Sequence, residues 1–240
     1  MNVESALYLI PTFLGDVPPA RVFPPYNIQV VERLRYYVAE REKTARAFIK
    51  KVAPQVPQSE LHFFILNKHT DPALVRGFLE PLRRGEPMGL LSEAGMPGIA
   101  DPGAPVVRMA HREGRKVEAL VGPSSLFLAL AASGLNGQQF AFHGYLPVDS
   151  KALARRLKEL EHQSRRSGTT QIFIETPYRN RRVLQTLVQS LSDRTLLCVA
   201  SHLTLPDAFV RTLPIREWKK MDLPDLHKKP TVFLFQAGDF

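Results

Sequence analysis

This chain has no long apolar runs. No window approaches the roughly 18 uninterrupted apolar residues that a membrane-spanning helix needs, so no membrane span is expected. Cysteine is almost absent, Cys198 being the only one in 240 residues. A single thiol builds neither a disulfide framework nor a zinc cluster, so no metal is expected. Its place in the apolar run 196–200 predicts that it packs as a small hydrophobe. The opening Met1-Asn2-Val3-Glu4 carries no basic leader and leads straight into a strand-like run, which argues against a signal peptide. There is no internal repeat and no low-complexity tract. Together these absences predict a cytoplasmic protein.

What is present supports a folded α/β protein. Apolar residues make up 44% of the chain, enough for one large domain or two of about 120 residues each. The net charge of +9 is uneven, since Lys151 to Arg166 holds six basic residues against two acids and Arg179, Arg181 and Arg182 follow closely. A basic surface favours a polyanionic partner and speeds encounter with it. Charge alone does not separate RNA from a carboxylate-rich small molecule, and a solvated helix face is the plain alternative.

Strand-like runs fall at Leu7–Ile10, Leu61–Leu66, Gly89–Leu91 and Val117–Val121, with helical patterns between them at Thr44–Val52, Pro72–Arg84 and Ala104–Glu113. Thr70-Asp71-Pro72 sets a capping residue before a first-turn proline, a helix start. Such alternation implies βαβ units and a mostly parallel sheet. Pro18, Pro19, Pro24 and Pro25 forbid regular structure over most of 16–27. Past Val121 the pattern changes. Helices at Ser124–Ser133 and Asp149–Ser167 flank a strand at Phe140–His143. Further strands are expected at Gln171–Ile174, Leu196–Ala200, Phe209–Thr212 and Thr231–Gln236. The strand at 209–212 follows its predecessor with no room for a helix, so antiparallel pairing enters and the second sheet is mixed. The expected domains are 1–121 and 122–240.

Three strand-to-helix loops stand out: 11–16 (Pro-Thr-Phe-Leu-Gly-Asp), 92–103 (Ser-Glu-Ala-Gly-Met-Pro-Gly-Ile-Ala-Asp-Pro-Gly) and 122–125 (Gly-Pro-Ser-Ser). Glycine lets backbone approach a ligand, proline fixes the loop beforehand, and ligands of open α/β sheets sit at the carboxyl ends of strands. Asp101 reads as the cap of the helix that follows. With Gly144-Tyr145-Leu146-Pro147 and the run 173–179 (Phe-Ile-Glu-Thr-Pro-Tyr-Arg), these loops resemble the tetrapyrrole methylase superfamily of S-adenosylmethionine (SAM)-dependent methyltransferases. Within it they are most similar to the 2′-O-ribose methyltransferases of small-subunit ribosomal RNA. The resemblance runs nearly the whole chain, to Lys229, with Glu93 in place of the usual Asp.

The resemblance implies a two-domain tetrapyrrole methylase-like fold with the cofactor in a cleft between a mostly parallel N-terminal sheet and a mixed C-terminal one. It places SAM on Pro11, Ser92, Glu93, Ala94, Gly95, Gly122, Ser124 and Ser125, with Ile174, Glu175, Leu203 and Thr231 closing the site from the second domain. It further implies a homodimer and an RNA substrate. Glu40, Glu175 and Lys229 are candidates for accepting the acceptor's proton, and Lys43, Arg46, Arg179 and Arg182 for binding RNA. None of these has a spacing that declares its role.

The chain also departs from the pattern. The relatives' A-E-D-T-R becomes Ala39-Glu40-Arg41-Glu42-Lys43, and R-E-L-T-K becomes Ser201-His202-Leu203-Thr204-Leu205. The cofactor loops are kept while the acceptor-facing motifs drift. Three readings stay open: an RNA methyltransferase, a small-molecule methylase acting on a tetrapyrrole-like anion, and a SAM-binding regulator without catalysis. The second is weakened because the tetrapyrrole enzymes' G-x-G-x-G-D first loop is absent at 11–16.

Overall fold

Short strands of three or four residues build the first sheet, and its central ones are apolar on both faces. Leu7 and Tyr8 of β1 (Leu7–Ile10) are both buried, as is every residue of β4 (Met88–Leu91), the pattern a parallel sheet covered on both sides requires. The computed structural model describes residues 3–238, and the chain divides into two units, one ending at Ser124 and the other starting at Ser125. Met1 and Asn2, which the reading of the chain's start includes, lie outside the described residues.

In the first unit β1 is followed by α1 (Pro25–Arg33), β2 (Tyr36–Ala39), α2 (Glu42–Val52) and β3 (His62–Ile65). Next come two short helices, α3 (Pro72–Val75) and α4 (Glu80–Arg83), then β4, α5 (Ala104–Arg112) and β5 (Val117–Ala119). The strand order is β3-β2-β4-β1-β5, and every pairing is parallel. Successive residues of β1 face opposite ways. Tyr8 and Ile10 join Val30, Val31, Tyr37, Phe48 and Ile49 on one side of the sheet, while Leu7 joins Val38, Leu82, Met88, Leu90 and Val106 on the other.

Two expectations need correction here. The helix expected over Pro72–Arg84 begins as foreseen, with Asp71 accepting from the Ala73 amide at 2.8 Å, but it stops at Val75. Pro81 cannot donate to the carbonyl four residues back and Gly77 weakens the turn between, so the chain restarts as α4. Within 16–27, Pro24 and Pro25 do not exclude structure. They occupy the N-cap and first position of α1, where a missing amide costs nothing.

The second unit comprises α6 (Ser125–Ser133), β6 (Phe140–Tyr145), α7 (Ser150–Ser167), β7 (Thr170–Ile174), α8 (Asn180–Ser190), β8 (Leu196–Ser201), β9 (Phe209–Pro214), α9 (Ile215–Trp218) and β10 (Thr231–Gln236). Its order is β6-β7-β10-β8-β9, with β6 and β7 parallel and the remaining pairs antiparallel. The sheet is therefore mixed, and β9 pairs with β8 as its short connection demands. Helix α7 starts at Asp149, whose side chain accepts from the Ala152 amide at 2.9 Å, and ends at Gly168 with φ +68°. Leu153, Leu157 and Leu160 of α7 pack with Leu184, Leu187, Phe173 and Phe233, while Leu126, Cys198, Val232 and Leu234 fill the other side. Burial pushes the Cys198 thiol up, as expected of an inert core cysteine. Among the described residues no helix is long and apolar enough to cross a membrane.

Candidate functional site

Strands β4, β1 and β5 are neighbours in a parallel sheet, so the three loops singled out in the sequence leave the same edge side by side. They are stitched together. The Thr12 amide donates to the Gly95 carbonyl at 2.9 Å and the Gly95 amide returns a bond to Thr12 O at 3.2 Å. The buried Ser92 hydroxyl donates to Gly95 O at 2.6 Å and lies 3.3 Å from Thr12 Oγ1. Gly95 has φ +78°, and a β-carbon there would lie 3.2 Å from Leu14 and 3.4 Å from Pro123 O. A β-carbon at Gly122 would sit 2.6 Å from Pro11 Cβ, so that loop closes on the first only because the residue is glycine. Asn27 Nδ2 donates to Val121 O at 2.6 Å and ties the third loop to α1. Of the cofactor candidates, Pro11, Ser92, Glu93, Ala94, Gly95, Gly122 and Ser124 are thus brought to one edge of the first unit, while Ser125 opens α6 in the second.

Acids gather beside these loops. Asp101 does not cap a helix, since α5 begins only at Ala104. Its carboxylate accepts from the Gly98 and Gly103 amides at 2.9 and 2.8 Å and braces the loop. Burial raises its pKa against the pull of those amides. Glu93 accepts from Thr44 Oγ1 at 2.7 Å and lies 3.8 Å from Arg41 Nε. Glu40, next after β2, has neither hydrogen bond nor ion pair with its side chain among the described residues. Burial first, then the negative fields of Asp101 and Glu93, hold its pKa above the ordinary carboxylate value, with Arg41 pulling the other way. Thr12, Asn27 and Thr44 are supporting residues that motif reading passes over, while Asp101 braces the loop in place of capping a helix. Thr12 and Asp101 sit inside the motifs, whereas nothing in the sequence marks Asn27 or Thr44.

The candidates of the second unit also collect at one sheet edge. Val232 pairs with Ile174 and Thr231 with Ser201, and the His202 amide donates to Pro230 O at 3.0 Å. Ile174, Glu175, Leu203, Lys229 and Thr231 are therefore near one another. Glu175, Thr231 and the Lys229 carbonyl are engaged in hydrogen bonds. Glu175 is buried, 3.0 Å from Arg179 Nη1, and accepts from the Thr176 amide at 2.6 Å. The Lys229 carbonyl accepts from Asn180 Nδ2 at 2.6 Å, and Thr231 Oγ1 donates to that same carbonyl at 2.9 Å and lies 3.0 Å from Ser201 Oγ.

The proposed RNA contacts divide. Lys43 is exposed. Arg46 is spent internally: it pairs with Glu42 at 2.7 Å, donates to the Gln58 and Leu61 carbonyls and stacks over Phe63. Arg179 likewise turns inward, to Glu175 and to Pro147 O at 3.3 Å, so it latches the 144–148 loop and is not free to meet phosphate. Arg182 is exposed and donates to Ser150 Oγ. A groove of about 500 Å³ beside Tyr36, Arg46, His62 and Arg84 lies at the amino ends of β2 and β3, away from the strand-end loops. Among the described residues no cluster could hold a metal ion.

Comparison with known proteins agrees with this geometry. The sequence profile of the Tetrapyrrole (Corrin/Porphyrin) Methylases matches residues 27–219. The chain is 30% identical to the ribosomal RNA small subunit methyltransferase I of Xylella fastidiosa, over 85% of its own length and 70% of the relative's. It is 28% identical to the protein of that name from Escherichia coli O157:H7, over 92% and 74%. The crystal structure of the methyltransferase CobJ superposes with a TM-score of 0.61 at 18% identity, covering 97% of this chain and 94% of that one, a likeness of fold. With a matching profile over most of its length, a parallel sheet whose neighbouring strand ends carry the shared loops, and a mixed second sheet, the chain belongs to the tetrapyrrole methylase family and is a methyltransferase.

Proposed function

We propose that this enzyme methylates RNA of the small ribosomal subunit on a ribose 2′-oxygen, with SAM as donor. The observation that carries the reading is the convergence of three strand-end loops at one edge, where Thr12 and Gly95 exchange backbone hydrogen bonds and the close contacts at Gly95 and Gly122 exclude side chains. The chemistry of the residues fits SAM. Gly95 and Gly122 let the three loops close tightly on one another, and Glu40, Glu93 and Asp101 suit a cationic ligand. When bound, SAM supplies a methyl group on a sulfonium, activated for in-line displacement. The residues around it orient the acceptor and take its proton.

Glu40 is the group best placed for that proton. Glu93 is held by Thr44 and Arg41, Asp101 by two amides, and Glu175 by Arg179 and the Thr176 amide, whereas the Glu40 carboxylate is uncommitted and more basic than usual. Lys229 could instead stabilise charge developing on the acceptor oxygen, and it remains a candidate for that role. Ile174, Leu203, Thr231 and Ser125 are proposed as further cofactor contacts, on family resemblance. Lys43 and Arg182 are retained as RNA contacts; Arg46 and Arg179 are not.

We also propose a homodimer. Phe127 and Phe140, exposed by 51% and 42%, form an edge-to-face pair on the surface of the second unit. Light scattering at micromolar concentration should give twice the chain mass of 27.0 kDa, and a value at 27.0 kDa overturns this point. The function is tested by incubating the protein with methyl-labelled SAM and small ribosomal subunits from cells lacking this gene. Label in ribose is the expected outcome. Label in a porphyrinoid but not in RNA supports the small-molecule reading instead, and SAM binding without any transfer supports a regulator.

A further inference from the structure

We propose that the outward face of α7 binds the sugar-phosphate backbone of RNA, an inference that rests on the RNA reading above. Lys151, Arg155, Lys158, His162 and Arg165 are all exposed. Spacings of four, three, four and three residues put them within one narrow stripe of the helix, about 21 Å long at 1.5 Å per residue. Lys151, Ala154, Arg155, Lys158, Glu159 and His162 line a shallow groove of about 670 Å³ along this face.

The stripe holds positive charge that the fold does not use. No acid among the described residues pairs with Lys151, Arg155 or Lys158. Neither of the two acids of α7 pairs with these three, although Glu159 lines the groove. Glu161 is buried and accepts from the Ser192 amide at 2.8 Å and from the Thr195 hydroxyl, and Glu159 is bonded to Arg156 at 3.2 Å. Like charges three and four apart on a helix repel, so the row works against helix stability unless an anion meets it. A stripe about 21 Å long is enough to meet several phosphates of one strand. Arg182 extends the row, since its guanidinium reaches Ser150 at the start of α7, and Arg181 beside it is exposed. Such contacts hold the substrate by its backbone and read no bases.

The test compares the full-length protein with a Lys151→Gln, Arg155→Gln, Lys158→Gln variant, using fluorescence anisotropy of a labelled single-stranded RNA oligonucleotide over a range of salt. A second variant, Lys50→Gln, Lys68→Gln, Arg112→Gln, removes the same charge from exposed positions of the first unit. The α7 variant should bind about tenfold or more weakly at moderate salt, with its log–log salt slope flattened by about 2, as three lost phosphate contacts imply for a single strand. Its SAM affinity, measured by calorimetry, should match wild type, which also shows that it folds. A charge-keeping Lys151→Arg, Arg155→Lys, Lys158→Arg variant should bind like wild type. An unchanged slope in the α7 variant, or equal flattening in the first-unit variant, overturns the proposal and leaves the RNA reading standing. Wild-type binding that ignores salt, or binding to anionic vesicles in place of RNA, overturns both.

Discussion

The carboxyl edge of the first sheet and the candidate edge of the second carry similar residue types put to opposite uses. Around 92–103 the backbone is fastened by its own hydrogen bonds and by glycine contacts, and Glu40 beside it is partly buried with no hydrogen-bond or ion-pair partner among the described residues. Around Glu175 the side chains do the fastening: Glu175 holds Arg179, Arg179 holds Pro147 O, and Asn180 holds Lys229 O. Glu175 is held by an arginine and an amide, whereas Glu40 faces two other acids whose fields raise its pKa. On the proposed reading, reactive chemistry belongs to the first unit and the polar cluster of the second is scaffolding.

The largest effect that could break this contrast is at Gly95. Gly95→Val should abolish SAM binding by calorimetry while circular dichroism stays native, because the side chain strains a φ of +78° and enters space beside Leu14 and Pro123. Intact SAM affinity in a folded Gly95→Val protein would place the pocket elsewhere. Next comes Glu40→Gln, which should lower kcat about 100-fold or more, with SAM affinity close to wild type. Its pH dependence sharpens the point. Glu40 has a raised pKa in the folded protein, so its contribution to stability is present below the ordinary carboxylate value and is lost as pH rises through the raised one. Glu40→Gln should therefore raise the melting temperature at neutral pH while removing activity, and wild-type kcat should fall as pH drops through the Glu40 pKa. A variant as active as wild type would return the base to another residue.

Arg179→Ala should behave as a scaffold mutation. Leaving Glu175 buried and uncompensated costs about 3 kcal/mol in chemical denaturation, while the salt slope of RNA binding hardly moves. A flattened slope with normal stability would instead return Arg179 to the RNA surface. The smallest effect is expected for Arg46→Gln, whose guanidinium bonds are internal. RNA affinity should change by less than about twofold, within what loss of one partly exposed pair allows.

The fold and much of the candidate site could be read from the chain, for identifiable reasons. Strand-end loops carry punctuation that periodicity cannot hide, and three such loops on neighbouring strands were visible as Pro/Gly/Ser/Asp clusters. The antiparallel β9 followed from a connection too short for a helix. Helix α8 carries an apolar stripe of Val183, Leu184, Leu187 and Val188, but Arg179, Arg181 and Arg182 at its start give the segment the look of a charged surface run. The commitments of Arg46 and Arg179 could not be read at all. Each depends on carbonyls contributed by another part of the chain, Gln58 and Leu61 for one and Pro147 for the other, and a carbonyl leaves no mark in a sequence. The Glu40, Glu93 and Asp101 cluster was equally hidden, since it forms only when β2 and β4 lie side by side.

The most direct measurement is transfer of labelled methyl from SAM to small-subunit ribosomal RNA taken from a strain lacking this gene, comparing wild type with Glu40→Gln. The account predicts label in ribose with wild type and about a hundredfold less with the variant, at equal SAM affinity. Equal transfer by the two proteins, or no transfer to RNA by a wild-type protein that binds SAM, would contradict it.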